Sequence, residues 1–134
     1  MEKTLFMVKP DAVVRGLAGE LVSLMEREGF ALERLELQRF DRAKAETFYG
    51  VHRDKPFFNS LVEYIVSGPV VAMVLVGERA IARVREIMGA TDPAQAALGT
   101  IRRKYGESIE RNAVHGSDSP TSAAHEIDVV FGAQ

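Results

Sequence analysis

The segment best equipped for chemistry is the run 112–119, Asn-Ala-Val-His-Gly-Ser-Asp-Ser, in which His115 stands among small and polar residues. Ser119 followed by Pro120 is typical of a helix N-cap with proline in the first turn. Such a helix brings Glu126 onto the same face as Ser119, where its carboxylate can orient an imidazole. An oriented neutral imidazole is a nucleophile or a general base. The pattern therefore predicts a catalytic histidine, with a solvated histidine in a polar turn as the alternative.

Several residues that could act with His115 are dispersed along the chain. Lys9 ends an apolar run, Arg85 lies in a helical pattern, and Thr91 and Arg102 lie in a long polar segment. Each of these taken alone is typical of a solvated surface residue. Taken together with His115, the cations could clamp a phosphate chain, and phosphoryl transfer depends mainly on positioning and charge neutralisation. The set therefore indicates a phosphoryl-transfer site.

The aromatic residues and the other histidines allow weaker interpretations. Of the adjacent rings Phe57 and Phe58, one can stay exposed for stacking, although both suit a core. Tyr49 lies in a helical pattern and could donate a hydrogen bond to an imidazole, or it could lie at a core edge. We expect His52 and His125 to be surface residues without a role.

Other motif classes are absent from the sequence. It contains no G-x-x-x-x-G-K-[ST] loop, no G-x-G-x-x-G after a strand and no G-x-S-x-G elbow. The three histidines lack the spacing of metal ligands, so we expect no protein-built metal site.

Composition favours one globular domain over residues 1–134, with 46% hydrophobic residues. The net charge of −2 gives no general attraction to nucleic acid or to anionic membranes. The chain has no cysteine, which fits a reducing compartment. Its first apolar run is too short for a signal peptide, and its longest, residues 70–76, cannot span a bilayer. We therefore expect a soluble cytoplasmic protein that does not contact membranes.

Hydrophobic periodicity and turn residues divide the chain into short elements. Residues 89–112 are rich in turn formers and show little periodicity, so we expect an irregular segment there. The patterns predict strands at 5–8, 31–40, 70–76 and 113–115, and helices at 10–16, 18–27, 42–51, 57–66, 79–88 and 120–128.

The order of these elements predicts the fold class. Apolar and charged residues roughly alternate along residues 31–40, which is typical of a strand with one wet face in an antiparallel sheet. We therefore expect an α+β protein, a ferredoxin-like α/β sandwich whose four-stranded antiparallel sheet has helices over one face and the other face exposed. A doubly wound parallel sheet is the less favoured alternative.

Six stretches of the sequence match a known family in order and in approximate spacing. They are residues 4–11 (TLFMVKPD), 55–58 (KPFF), 67–73 (SGPVVAM), 89–91 (GAT), 99–102 (GTIR) and 112–119 (NAVHGSDS). On these stretches the chain resembles a nucleoside diphosphate kinase over essentially its whole length. The family's ferredoxin-like α/β sandwich agrees with the fold class predicted from the patterns.

The resemblance implies a ping-pong transfer of a γ-phosphoryl group from a nucleoside triphosphate, typically ATP, to a nucleoside diphosphate. In this sequence His115 would be the phosphorylated nucleophile, Glu126 its orienting carboxylate and Phe57 the ring that stacks on the base. A magnesium ion (Mg2+) would arrive on the nucleotide phosphates, and the chain would be a homo-oligomer. The implied phosphate and sugar contacts are Lys9, Tyr49, Arg85, Thr91, Arg102 and Asn112.

Two other classes of function remain open at this point. In a phosphohistidine signalling protein, His115 would pass phosphate to a protein partner, and no nucleotide pocket would be needed. A ferredoxin-like nucleic-acid-binding module would need aromatic residues on its strands and a basic face. Because the predicted strands are mostly aliphatic and the net charge is negative, nucleic acid is an unlikely partner.

Overall fold

A four-stranded antiparallel sheet forms the centre of the molecule in a computed structural model, which describes residues 1–132. Its strands are β1 (Glu2–Val8), β2 (Ala31–Gln38), β3 (Val70–Gly77) and β4 (Val114–Gly116), in the spatial order β2-β3-β1-β4. The helices are α1 (Pro10–Val14), α2 (Ala18–Arg27), α3 (Arg42–Phe48), α4 (Phe58–Ile65), α5 (Ala80–Met88), α6 (Ile101–Tyr105) and α7 (Pro120–Phe131). None of the helices within residues 1–132 is long and apolar enough to cross a bilayer.

Both faces of the two central strands are buried. Along β1, Phe6 and Val8 pack into a cluster with α1, α2, α5 and α6, while Leu5 and Met7 pack into another with α3, α4 and α7. Successive side chains of a strand point to opposite faces, so two helical layers enclose the sheet. The predicted α+β sandwich is confirmed, but the expectation of an exposed sheet face is wrong for β1 and β3.

The alternation that suggested an exposed face belongs to an edge strand. A bulge between Leu32 and Arg34 shifts the pairing of β2 with β3 by one residue. Leu32, Leu35 and Leu37 therefore share one face of the sheet, although their sequence spacing is three and then two. Because β2 pairs only with β3 among residues 1–132, the outer part of this face is left uncovered, and Leu37 is 69% exposed.

The predicted boundaries hold best where the apolar periodicity is strong. Residues 89–112, predicted as irregular, contain a 3-10 turn at Pro93–Gln95 and the helix α6. Each of these two elements begins at an N-cap residue that the sequence contains. Asp92 caps the 3-10 turn by accepting from the Ala94 amide at 3.0 Å, and Thr100 caps α6 by accepting from the Arg103 amide at 3.3 Å. Helix α3 is three residues shorter than predicted, with a 3-10 turn at Gly50–His52 after it, and α7 extends three residues further.

Pro93 stiffens the segment that leads to α6. It is buried, and a Cβ placed on Gly106 would lie 2.6 Å from its Cγ, so the ring packs closely against the chain after α6. We expect Pro93→Gly to lower the free energy of unfolding by about 1 kcal/mol, because it frees the unfolded chain and removes this contact. Urea unfolding measures the change. Pro56→Gly, at an exposed proline, is the control, and an equal loss in both variants would contradict the packing argument.

Candidate active site

A cavity of about 500 Å³ opens at the β4 edge of the sheet, where both helical layers reach the same strand. The lining brings together every site residue that the sequence predicted, although they come from strands, helices and loops far apart in the chain. These residues are Lys9, Tyr49, Phe57, Arg85, Thr91, Arg102, Asn112, His115 and Glu126.

Strand β4 directs His115 into this cavity. His115 pairs with Met7 of β1, so its side chain lies on the face covered by α3 and α7. The neighbours on either side point the other way: Val114 is buried in the core, and a Cβ on Gly116 would lie only 2.5 Å from the sulfur of Met88. Glycine at this position therefore allows α5 to approach the strand behind the histidine.

The imidazole of His115 is oriented by a carboxylate, as the sequence predicted. Its Nε2 lies 2.9 Å from Oε1 of Glu126, and Ser117 donates its hydroxyl to the same oxygen at 2.7 Å. Burial alone would raise the pKa of Glu126, but the nearby His115 and the two hydrogen bonds outweigh it and lower that pKa. An ionised carboxylate only accepts, so Nε2 carries a proton, and in the neutral form of the ring the lone pair is on Nδ1.

Sequence reasoning missed two supports of this pair. Ser117 is part of the predicted motif, but nothing in the pattern distinguished it from its neighbours as a donor to Glu126. The ring of Phe48 meets the imidazole of His115 edge-on, with centroids 5.1 Å apart. Together they limit the ways in which the ring of His115 can turn.

Lys9 is only 6% exposed, and a chain of hydrogen bonds holds it. Its ammonium donates to the carbonyl of Glu110 at 2.7 Å and to Oδ1 of Asn112 at 2.9 Å. The side-chain Nδ2 of Asn112 donates in turn to the backbone carbonyl of Thr91 at 2.9 Å. Burial is the main cause that lowers the pKa of Lys9 to about 8, so its charge is held in an unfavourable environment.

Two arginines lie against the backbone on either side of the histidine. Arg85 donates to the carbonyl of Gly116 at 3.1 Å, and Arg102 donates to that of Val114 at 2.9 Å. Burial, with a smaller effect of Arg85, lowers the pKa of Arg102 to about 10. Within residues 1–132, neither arginine nor Lys9 forms an ion pair with a carboxylate. The cavity wall therefore presents three cations that form no ion pair with the described carboxylates beside them, and an anionic ligand can bind to these cations.

The aromatic lining differs in part from expectation. Phe57 is 40% exposed at the cavity, as a stacking ring requires. His52 was expected at the surface, but it lines the cavity with its ring 5.5 Å from that of Phe57. Tyr49 also lines the cavity, yet within residues 1–132 no hydrogen bond joins it to His115. His125 is exposed on α7, as predicted.

Within the described part of the chain, one ring nitrogen of His115 is hydrogen-bonded, and the cations of the same cavity form no ion pair. This is the arrangement of a phosphotransferase that works through a nucleophilic histidine. The family model for nucleoside diphosphate kinase matches residues 2–134. The chain belongs to the nucleoside diphosphate kinase family, which confirms the predicted family, fold and class of enzyme.

Known members of the family are similar over nearly the whole chain. A nucleoside diphosphate kinase of Carboxydothermus hydrogenoformans is 56% identical over 98% of this chain and 88% of its own. The solved kinase of Aquifex aeolicus has a TM-score of 0.95 at 50% identity, covering 97% of this chain and 94% of its own. The kinase of Halobacterium salinarum, solved in complex with CDP, has a TM-score of 0.95 at 45% identity, covering 98% and 88%.

The lowered pKa of Lys9 predicts weaker anion binding in alkali. Lys9 loses its charge as the pH rises through about 8, so the dissociation constant of a bound anion should rise by up to tenfold for each further unit. Sulfate is a suitable probe because its charge is constant over this range, and an NMR titration between about pH 7 and 9.5 measures its binding. Lys9→Arg should abolish the rise, since arginine keeps its proton there. A flat profile in the unsubstituted protein would contradict the assignment.

Proposed function

We propose that this chain transfers the γ-phosphoryl group of a nucleoside triphosphate, typically ATP, to a nucleoside diphosphate through a phosphohistidine at His115, and so maintains nucleoside triphosphate pools. The observation that carries the proposal is the bond from Nε2 to Glu126, at 2.9 Å, which leaves the lone pair of Nδ1 for attack. The signalling alternative does not need a cavity that combines cations with a stacking ring.

The reaction divides into two displacements at phosphorus. Nδ1 of His115 attacks the γ-phosphorus, and the bond to the bridging oxygen breaks as the nucleoside diphosphate leaves with its electron pair. Glu126 stabilises the positive charge that develops on the ring, because its carboxylate accepts a hydrogen bond from Nε2–H and remains ionised. In the second step, a terminal oxygen of another diphosphate attacks the same phosphorus, and His115 is the leaving group.

The remaining lining residues would bind and place the nucleotide. Lys9, Arg85 and Arg102 would neutralise the phosphates, whose oxygens can replace backbone carbonyls as acceptors from the guanidinium groups. Thr91 and Asn112 would contact phosphate and sugar, and Phe57 would stack on the base. Burial is the main cause that raises the pKa of Tyr49, so its hydroxyl would remain a donor toward the reacting group.

Magnesium would enter with the nucleotide phosphates. The carboxylates of the lining are Glu110, Asp118 and Glu126, and each already accepts a hydrogen bond, from Ser60, Ser122 and His115 in turn. Within residues 1–132 no group of three or more acidic or histidine side chains could hold a metal. This lining fits an ion held largely by phosphate oxygens, where Mg2+ would offset the negative charge that develops during transfer.

Labelling with ATP that carries a radioactive γ-phosphate tests the function. We expect the label to enter the protein at His115 and to leave when a nucleoside diphosphate is added. His115→Ala should abolish labelling, because it is the one histidine within residues 1–132 that pairs with a carboxylate, and that carboxylate is largely shielded from solvent. Glu126→Gln should slow it by roughly 10- to 10³-fold, through loss of the orienting charge.

The matched controls are His52→Ala and His125→Ala, which should still be labelled. Label that persists in His115→Ala would contradict the mechanism. Label on His115 that no nucleoside diphosphate removes would favour the signalling function instead.

We further propose that the chain works in the cytoplasm as a homo-oligomer. Its cysteine-free sequence fits a reducing compartment. Edge strand β2 presents Leu35 and Leu37, 48% and 69% exposed, beside backbone groups that no other strand within residues 1–132 pairs. A second copy of the chain would cover both the leucines and the strand edge, as natural proteins commonly protect such edges.

Sedimentation across a dilution series tests the assembly. We expect the unsubstituted chain to form an oligomer. Leu37→Glu should lower the association constant by at least about tenfold, because the new charge would be buried at the contact. Val51→Glu introduces the same charge at an exposed residue of the cavity rim and should leave the assembly unchanged. An unsubstituted chain that stays monomeric throughout would refute the proposal.

A further inference from the structure

One buried residue beside the catalytic strand has an unusual backbone. Ala113 is fully buried and has a φ of 75°, in the left-handed region that side chains with a Cβ disfavour. The amide of Val114 donates to the carbonyl of Asn112 at 2.9 Å, which closes a three-residue γ-turn around Ala113. With a positive φ at its centre, this is the rare and strained form of that turn. Such a conformation persists only where its surroundings hold it.

The side chain of Asp11 holds this turn from the first segment after β1. Its Oδ2 accepts from the amide of Ala113 at 3.1 Å, while the carbonyl of Ala113 accepts from the amide of Lys9 at 2.9 Å. Both polar backbone groups of the strained residue are therefore bound by the segment 9–11. Asp11 itself is 4% exposed, and within residues 1–132 it forms no ion pair.

Asp11 is in turn held by Tyr64 of α4. The hydroxyl of Tyr64 donates to Oδ1 of Asp11 and accepts from the backbone amide of Asp11 at 2.8 Å. Burial and then the bond to Asp11 raise the pKa of Tyr64, so its hydroxyl keeps the proton that it donates. The carboxylate therefore has one oxygen anchored by the hydroxyl and the other directed at the turn.

The turn joins Asn112, which contacts Lys9, to His115. Asn112 is the first residue of the turn, and its Oδ1 accepts from the ammonium of Lys9 at 2.9 Å. His115 follows two residues after Ala113. A change of φ at Ala113 would move the nucleophile relative to the group that binds phosphate. Resting on the function proposed above, we propose that Asp11 is a positioning residue, which clamps the strained turn at Ala113 and so sets the place of His115 relative to Lys9 and Asn112.

The strained residue, Ala113, is not itself one of the catalytic groups, so a second substitution at Ala113 can test the role of Asp11. Glycine adopts a positive φ without the cost of a Cβ, so Ala113→Gly removes the need for a clamp. We expect Asp11→Ala to slow phosphorylation of His115 by roughly 10- to 100-fold at saturating ATP, with a change in KM of less than about threefold. Adding Ala113→Gly to Asp11→Ala should restore about tenfold of the lost rate.

Conservative and matched variants distinguish positioning from general stability. Asp11→Asn keeps one acceptor oxygen and should lose less than about fivefold. Tyr64→Phe keeps the carboxylate but removes its anchor, so it should lose roughly three- to tenfold and be rescued by Ala113→Gly in the same way. Val62→Ala, at a fully buried residue of α4, should destabilise the protein without changing the rate of phosphorylation at a temperature where it stays folded.

Three results would overturn the proposal: an unchanged rate in both Asp11→Ala and Tyr64→Phe, no rescue by Ala113→Gly, or an equal rate loss in Val62→Ala. If Asp11→Ala does not fold, the Tyr64→Phe pair decides. Hydrogen exchange of the residue 113 amide gives a readout without nucleotide, and its protection should fall by at least about tenfold when the clamp is lost. A chain that is never phosphorylated but shows this fall would refute the proposed function and leave the clamp standing.

Discussion

The pairing of β4 with β1 is the interaction on which the site depends. It comprises only three residue pairs, with Met7 opposite His115 at the centre, and Lys9 follows β1 directly. The Lys9 amide donates to the carbonyl of Ala113 at 2.9 Å, which extends the ladder to Lys9. One short ladder therefore fixes the positions of the His115 imidazole and the Lys9 ammonium relative to each other. A one-residue shift in the register of β4 against β1 would move the side chain of His115 from the cavity to the opposite face of the sheet. The side chains buried on both faces of β1 disfavour such a shift, so the packing that stabilises the fold also keeps His115 in the cavity.

The hydrogen bonds that hold the positive charges of this site come from dipoles, whereas carboxylates such as Asp11 and Glu110 act on Lys9 without forming an ion pair with it. Arg102 and Lys9 are buried, yet backbone carbonyls and an amide oxygen accept their hydrogen bonds, and burial still lowers the pKa of each. A carboxylate partner would stabilise the free protein better, but it would also repel phosphate and compete with it. Within residues 1–132 the three cations of the lining form no ion pair, so the phosphates of the proposed substrate would find donors that only neutral oxygens now occupy.

The parts of the structure predictable from sequence are those that depend on local pattern. Continuous apolar residues defined β3, the Ser119-Pro120 cap defined the start of α7, and helical spacing then placed Glu126 beside His115. Contacts that depend on the tertiary fold could not be derived this way. The bulge after Leu32 is defined by the pairing of β2 with β3 and not by the sequence of β2 alone. The place of His52 in the cavity wall, beside the ring of Phe57, is likewise a tertiary contact. Lys9, Arg85, Thr91 and Arg102 were already candidates from their residue types, and the resemblance to a known family added Asn112 and gave each of them a role.

The cavity is lined by both charged and exposed apolar side chains, and these two kinds of group suit different parts of a ligand. Lys9, Arg85 and Arg102 gather around His115, whereas Phe57 and Val51 present exposed apolar surface. Stacking on a ring tolerates every base, because every base has a π-face, while charged hydrogen bonds to phosphate are strong and directional. Under the proposed function, such a site would recognise the phosphate chain closely and the base loosely. That division would suit donor and acceptor nucleotides that occupy the same cavity in turn, each with its terminal phosphate beside His115.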